Sequence, residues 1–249
     1  MIEHRGFTAE LLALKDDPEI GREVIRIRHD DGRVEELHLH DYERLYSLPG
    51  VYEEIVSERL GCRSPAQIAS MLAAAADRMG WARGDVRVLD LAAGNGVSGE
   101  ALAAESLRAV LGTDIVPAAR TAALRDRPGV YENYLTLDLV ALTAAEERTV
   151  RGLGANALSC VVPVGEHSQQ LPPQALAAAA GMLAPVALVA YMHDPRFGTA
   201  DAVTPAFWMQ WLGSGVGAEE LKRRRYVHRF TVNGEPYEMD AVVHRVRRR

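Results

Sequence analysis

The stretch Val88-Leu89-Asp90-Leu91-Ala92-Ala93-Gly94-Asn95-Gly96-Val97-Ser98-Gly99 decides the fold. It runs from an apolar strand, Val86–Leu91, into a helix, Val97–Leu107, through a glycine turn. Gly94 and Gly96 permit a tight turn and a close approach by a ligand. The helix that follows presents free N–H groups at its start. Gly94 to Gly99 also match G-x-G-x-x-G, a pattern shared with dinucleotide-binding folds, and Asp114 lies 18 residues beyond Gly96, near the spacing of a ribose-binding acid.

Outward from this segment, strands and helices alternate. Strands are read at Ala109–Thr113, Val130–Leu137, Leu158–Val162 and Val186–Met192. Helices are read at Pro117–Arg125, Thr143–Val150 and Pro172–Leu183. The apolar runs lack clean alternation, as in strands covered on both faces. Ser64-Pro65 opens an amphipathic helix ahead of them. Tyr226–Val232 and Tyr237–Val246 flank Asn233-Gly234, a hairpin signal. The fold class is therefore α/β: a doubly wound, Rossmann-like, mostly parallel sheet ending in an antiparallel hairpin.

Residues 1–63 read as an N-terminal cap. A short helix is expected within 1–22, then a hairpin of Val24–Arg28 and Val34–His40 about Asp30-Asp31-Gly32. A helical stretch Tyr42–Leu60 follows, broken at Pro49-Gly50. Residues 64–249 form the main domain, with 194–221 expected as a lid-like insertion.

Asp90 separates two ligand classes. It precedes the glycine turn, where a dinucleotide would set its pyrophosphate. At ~5 Å and an effective dielectric of ~20, each like-charge pair there costs roughly 3 kcal/mol. A ligand with an ammonium and a sulfonium but no phosphate meets no such conflict. S-adenosyl-L-methionine is such a ligand, and S-adenosyl-L-homocysteine is its product. Asp90, Asp114 and Asp138 recur every 24 residues at three successive strand ends. They can address the methionine ammonium, the ribose hydroxyls and the adenine amino group in turn.

With Asp-x-Ala-x-Gly-x-Gly, Gly112-Thr113-Asp114-Ile115, Leu137-Asp138-Leu139 and the terminal hairpin, the sequence resembles the class I S-adenosylmethionine-dependent methyltransferases. The resemblance covers residues 64–249 and is nearest to the small-molecule, ubiquinone-biosynthesis-type group. Ala92 stands where that family usually has its first glycine. The resemblance implies a cofactor set of Asp90, Ala92, Gly94, Asn95, Gly96, Asp114, Ile115, Asp138, Leu139 and Val162. It also implies methyl transfer to O, N or C of a small molecule.

The segment after the fourth strand, Val162-Pro163-Val164-Gly165-Glu166-His167, lacks the Asn/Asp-Pro-Pro-aromatic pattern of base-amino and glutamine methylating enzymes. It lacks the Pro-Cys nucleophile of cytosine enzymes as well. His167 and His193 follow two strands and are candidate proton acceptors; hydrogen-bonded loop histidines are the plainer reading. Tyr46, Tyr52 and Trp208 are candidate pocket walls, against ordinary helix packing. His38, His40 and Asp41 invite a metal, but they read better as a solvated hairpin face, and no metal is expected.

The 249 residues carry 28 Lys+Arg against 34 Asp+Glu, a formal charge of −6. Cys62 and Cys160 cannot form a disulfide framework. With no signal-peptide pattern and no long apolar run, a cytoplasmic protein without a membrane segment is expected. Nine Lys/Arg against three acids in residues 221–249 raise a nucleic-acid methyltransferase or binding module. Two other readings are an NAD(P)-dependent oxidoreductase on the same turn and a silent cofactor-binding subunit. Oligomeric state is not legible.

Overall fold

The computed structural model describes residues 6–12, 22–165, 171–197 and 203–248. Strands β1 (Phe7–Leu11), β2 (Val24–His29) and β3 (Val34–His38) form a small antiparallel sheet. The hairpin is as read. The helix expected within residues 1–22 is not found at Phe7–Leu11, which is a strand. Phe7 and Ala9 face inward while Thr8 and Glu10 face out, a period of two. Helix α1 (Tyr42–Ser47) and a π-helical segment, Glu53–Arg59, follow on either side of Pro49-Gly50. They close a core with Ile25, Ile27, Leu45, Val51 and Ile55.

Helix α2 (Ser64–Arg78) leads into the main sheet. In chain order come β4 (Arg87–Leu91), α3 (Val97–Ala104), β5 (Arg108–Asp114), α4 (Pro117–Asp126), β6 (Tyr134–Thr136) and α5 (Ala144–Gly152). Then come β7 (Ala157–Pro163), α6 (Pro173–Gly181), β8 (Val186–His193), α7 (Pro205–Leu212), β9 (Val216–Phe230) and β10 (Pro236–Arg248). The seven strands lie in the order β6-β5-β4-β7-β8-β10-β9. The first five in that order are parallel, and β10 runs antiparallel between β8 and β9.

Both sheet faces are buried. Val88, Ala157 and Leu188 pack toward α2 and α3, while their neighbours Leu89, Leu158 and Val189 pack toward the face holding α6 and α7. This explains the continuous apolar runs. The chain order reverses between β4 and β7, so a crevice opens at their carboxyl ends.

In the segment 194–221 the aromatic run Pro205–Leu212 is a helix, α7, as its sequence reads, and Pro195–Phe197 is a single 3₁₀ turn. The segment differs from the expectation at its end, where residues from Val216 onward already belong to β9. The hairpin turn at Asn233-Gly234 is where it was read, but β9 begins ten residues earlier. Its charged first half shows no alternation because β9 is an edge strand facing solvent, where charge is tolerated. Trp208 is fully buried in the core of the sheet face and does not stand over the crevice. Among the described residues, no helix is long and apolar enough to cross a membrane. None of them form a cluster of three or more His, Cys, Asp or Glu able to hold a metal.

Trp208→Ala is expected to cost about 3–5 kcal/mol of folding free energy, because a large fully buried ring is lost. Urea denaturation checks this; an unchanged midpoint would mean that α7 is a loose lid.

Candidate functional site

A cavity of about 570 Å³ lies along the carboxyl edge of the main sheet. This is within the range of about 300–1,000 Å³ common for small-molecule and cofactor sites. Sheet order lays out its wall. Asp138, Leu139 and Val140 follow β6; Asp114, Ile115 and Val116 follow β5; Ala92 to Asn95 follow β4. Val161 to Pro163 end β7, Asp194 and Arg196 follow β8, and Tyr237, Met239 and His228 come from β10 and β9. The antiparallel β10 puts its beginning at this edge, since Asp240 stands opposite His193. Tyr42, Tyr46 and Tyr52 complete the wall from the N-terminal segment.

The turn after β4 is built on Asp90. This carboxylate is fully buried and receives the hydroxyls of Ser98, Ser159 and Tyr131, the last at 2.6 Å. Burial raises its pKa despite these three donors. Tyr131 also accepts the Gly99 N–H at 3.0 Å, so one of the free amides of α3 is already used. Ala92 has φ +54 and Gly94 has φ +54. Ala92, a non-glycine residue, is therefore held in the left-handed region, at a cost of roughly 1–2 kcal/mol. At Gly94 a side chain would collide with the Tyr46 hydroxyl.

Three carboxylates at strand ends share one local geometry. Asp114, Asp138 and Asp194 each accept the backbone N–H two residues on, at 2.9, 2.9 and 3.0 Å. Asp114 also accepts the Gly94 N–H at 2.9 Å, which ties the ends of β4 and β5 together. Burial raises the Asp114 pKa. Beside these acids Ile115 and Val140 are 63% and 57% exposed inside the cavity wall. Open apolar side chains next to hydrogen-bonding carboxylates suit a flat ring carrying polar edges.

Most residues singled out in the sequence meet at this cavity: Ala92, Gly94, Asn95, Asp114, Ile115, Asp138, Leu139, Val162, Tyr46 and Tyr52. Asp90 and Gly96 do not line it: Asp90 lies beneath the turn, and Gly96 ends the turn at the start of α3. Three hydroxyls enclose Asp90 there, away from the cavity wall. His193 is buried at the end of β8 and Trp208 is in the core, and neither lines the cavity. His167 lies outside the described residues.

The structure adds residues that sequence reading missed. Tyr134 donates its hydroxyl to the Gly94 carbonyl at 2.6 Å. Arg196 pairs with Asp194 at 2.6 Å, and Tyr237 donates to the same acid at 2.7 Å. Arg229 and Glu23 form a buried ion pair at 2.5 Å. His228 contacts the Ser64 hydroxyl at 2.5 Å, and burial together with Arg229 lowers its pKa to about 3. Only Asp194 carried a signal, as an acid directly after a strand.

No family model matches the sequence, and no curated protein matches it. Solved structures do share the architecture. A proposed RNA methyltransferase from Pyrococcus horikoshii aligns with a TM-score of 0.50 and 14% identity, over 75% of this chain and 84% of that one. The chain has a Rossmann-like methyltransferase fold. The plantazolicin methyltransferase BpumL, solved in complex with SAH, aligns at 0.49 and 10% identity, over 84% of this chain and 94% of that one. The N-methyltransferase NodS from Bradyrhizobium japonicum WM9 aligns at 0.48 and 14%, over 78% and 99%. At these identities the likeness is one of fold.

Tyr131→Phe removes a donor to the buried Asp90 and strands the Gly99 N–H. It is expected to destabilise the chain by about 1–3 kcal/mol, read as a lowered denaturation midpoint.

Proposed function

We propose that the chain is an S-adenosyl-L-methionine-dependent methyltransferase acting on a small-molecule acceptor. The observation that carries this is Asp114 at the end of β5, beside the exposed Ile115 and below the Gly94 turn. Asp114 holds the ribose hydroxyls, Asp138 the adenine amino edge, and Ile115, Leu139 and Val140 flank the ring. Ala92 to Asn95 and Val162 border the methionine end. The cofactor supplies an activated methyl group when bound; the protein binds, orients and excludes water.

The nicotinamide reading is disfavoured on local grounds. A pyrophosphate would need the α3 N-terminus, but Gly99 N–H is taken by Tyr131 and a buried carboxylate lies directly behind. A small acceptor is supported by the cavity, whose wall is completed by Tyr42, Tyr46 and Tyr52 of residues 1–63, the proposed cap. The basic run supports nucleic acid weakly. Arg223 pairs with Glu220 at 2.8 Å, and Arg225 pairs with Asp240 at 2.5 Å on the sheet edge. No proton acceptor is assigned, since His193 is off the wall and His167 lies outside the described residues.

Calorimetry on the full chain is expected to show micromolar binding of S-adenosylhomocysteine and none of NAD(H). Tight NAD(H) binding alone would overturn the proposal. Asp114→Asn keeps the side-chain shape and is expected to lose at least about 2 kcal/mol of that binding. An unaltered dissociation constant would remove Asp114 from the site.

A further inference from the structure

The N-terminal segment is fastened onto the glycine turn at one side chain. Glu53 Oε1 accepts from Asn95 Nδ2 at 2.7 Å and from Arg127 Nη1 at 2.7 Å. Arg127 in turn donates to the Asn95 carbonyl at 3.2 Å and pairs with Glu100 at 2.9 Å. Asn95 is buried and belongs to the turn itself. One carboxylate therefore joins the cap, the turn, α3 and the chain after α4. Near the turn the other ties are longer, Arg125 Nη2 to the Tyr46 carbonyl at 3.2 Å and Ala118 N–H to Glu43 at 3.3 Å, while the buried Glu23–Arg229 pair holds the segment to β9 away from the turn.

The fastening holds Tyr46 against the glycine turn at the cavity wall. Tyr46 is buried, and its hydroxyl stands against Gly94, where a glycine permits close approach. Tyr42 stacks on Tyr46 and Tyr52 lies tilted against Tyr46, with centroids 5.5 Å apart at each step. Moving Tyr46 away from Gly94 therefore moves a three-ring wall.

The fastening is also incompletely satisfied. Glu53 Oε2 is buried with no hydrogen-bond partner among the described residues. A buried carboxylate oxygen without a donor is costly, whereas in water it is solvated. The closed arrangement gains two charge-assisted bonds and loses this hydration. Such opposition suits a contact that must open and close.

We propose that Glu53 is a positioning residue that latches the N-terminal segment over the glycine turn, so the cofactor enters and leaves only when this latch opens. The proposal rests on the methyltransferase reading. The tyrosine wall rides on the same segment, so the acceptor side is assembled by the closure that retains the cofactor.

The test uses the full-length chain on a biosensor surface, with S-adenosylhomocysteine as the probe. Glu53→Ala is expected to raise both the association and the dissociation rate about 10-fold or more, the scale of losing charge-assisted bonds. The dissociation constant then changes less than either rate. Glu53→Gln keeps the bond from Asn95 and is expected to fall between. A merely structural role predicts a lower denaturation midpoint and weaker binding, with no faster association. Unchanged rates in both variants, or faster dissociation alone, overturn the latch. No binding by the unaltered chain overturns the methyltransferase reading and the latch with it. Unaltered binding together with unaltered rates in the variants overturns the latch only.

Discussion

The buried Asp90 carboxylate organises the centre of this molecule. Its two oxygens take hydroxyls from α3, from β7 and from the chain between α4 and β6. A carboxylate away from water is tolerated only when donors replace the water. Here one donor, Ser98, follows the turn closely, and the other two, Tyr131 and Ser159, come from parts of the chain distant in sequence. Forming the site and satisfying the charge are thus one event. The turn at Ala92 to Gly96 lies directly upon it, and three left-handed residues in that turn, Ala92, Gly94 and Gly96, are held there by what surrounds them.

From that centre the cavity follows the strand order. Each strand end contributes a residue pair, and three of the ends use an aspartate that fixes its own turn through one oxygen. One side of the crevice presents carboxylates with exposed apolar neighbours. The other presents ion pairs and a neutral histidine. Under the proposed function, the hydroxyl-rich, amino-edged, ring-bearing half of the cofactor takes the first side, and the other is left for the acceptor. The chain from Tyr42 to Glu53, which follows the small N-terminal sheet, supplies an aromatic wall and a second carboxylate, beside Asp114, that bonds to the turn. The cap therefore takes part in the site rather than sitting beside it.

Much of the sheet was legible because strands covered on both faces are unbroken apolar runs bounded by helix signals. Val88, Leu89 and Leu158 show this directly. Asp114 and Asp138 were legible because chain direction alone brings the ends of parallel strands to one edge. β9 was read too short, since an edge strand carries charge without alternation. Phe7–Leu11 was missed because five residues give too little pattern. Trp208 and Asp90 were assigned to the cavity because helix spacing and strand-end position say nothing about which side of a wall a side chain occupies.

The amino-acid sequence by itself determined the α/β order, the parallel sheet, the glycine turn and the acids that meet at its edge. These depend on local periodicity and on the direction of successive strands. Only the tertiary structure decided that three hydroxyls enclose Asp90 off the cavity wall, and that Glu53 and Tyr46 lie against the turn. It also brought His228, Arg196 and Tyr237 to the far side. Those relations join residues 40 to more than 160 positions apart, and no pattern within a single segment encodes which of them will share a hydrogen bond.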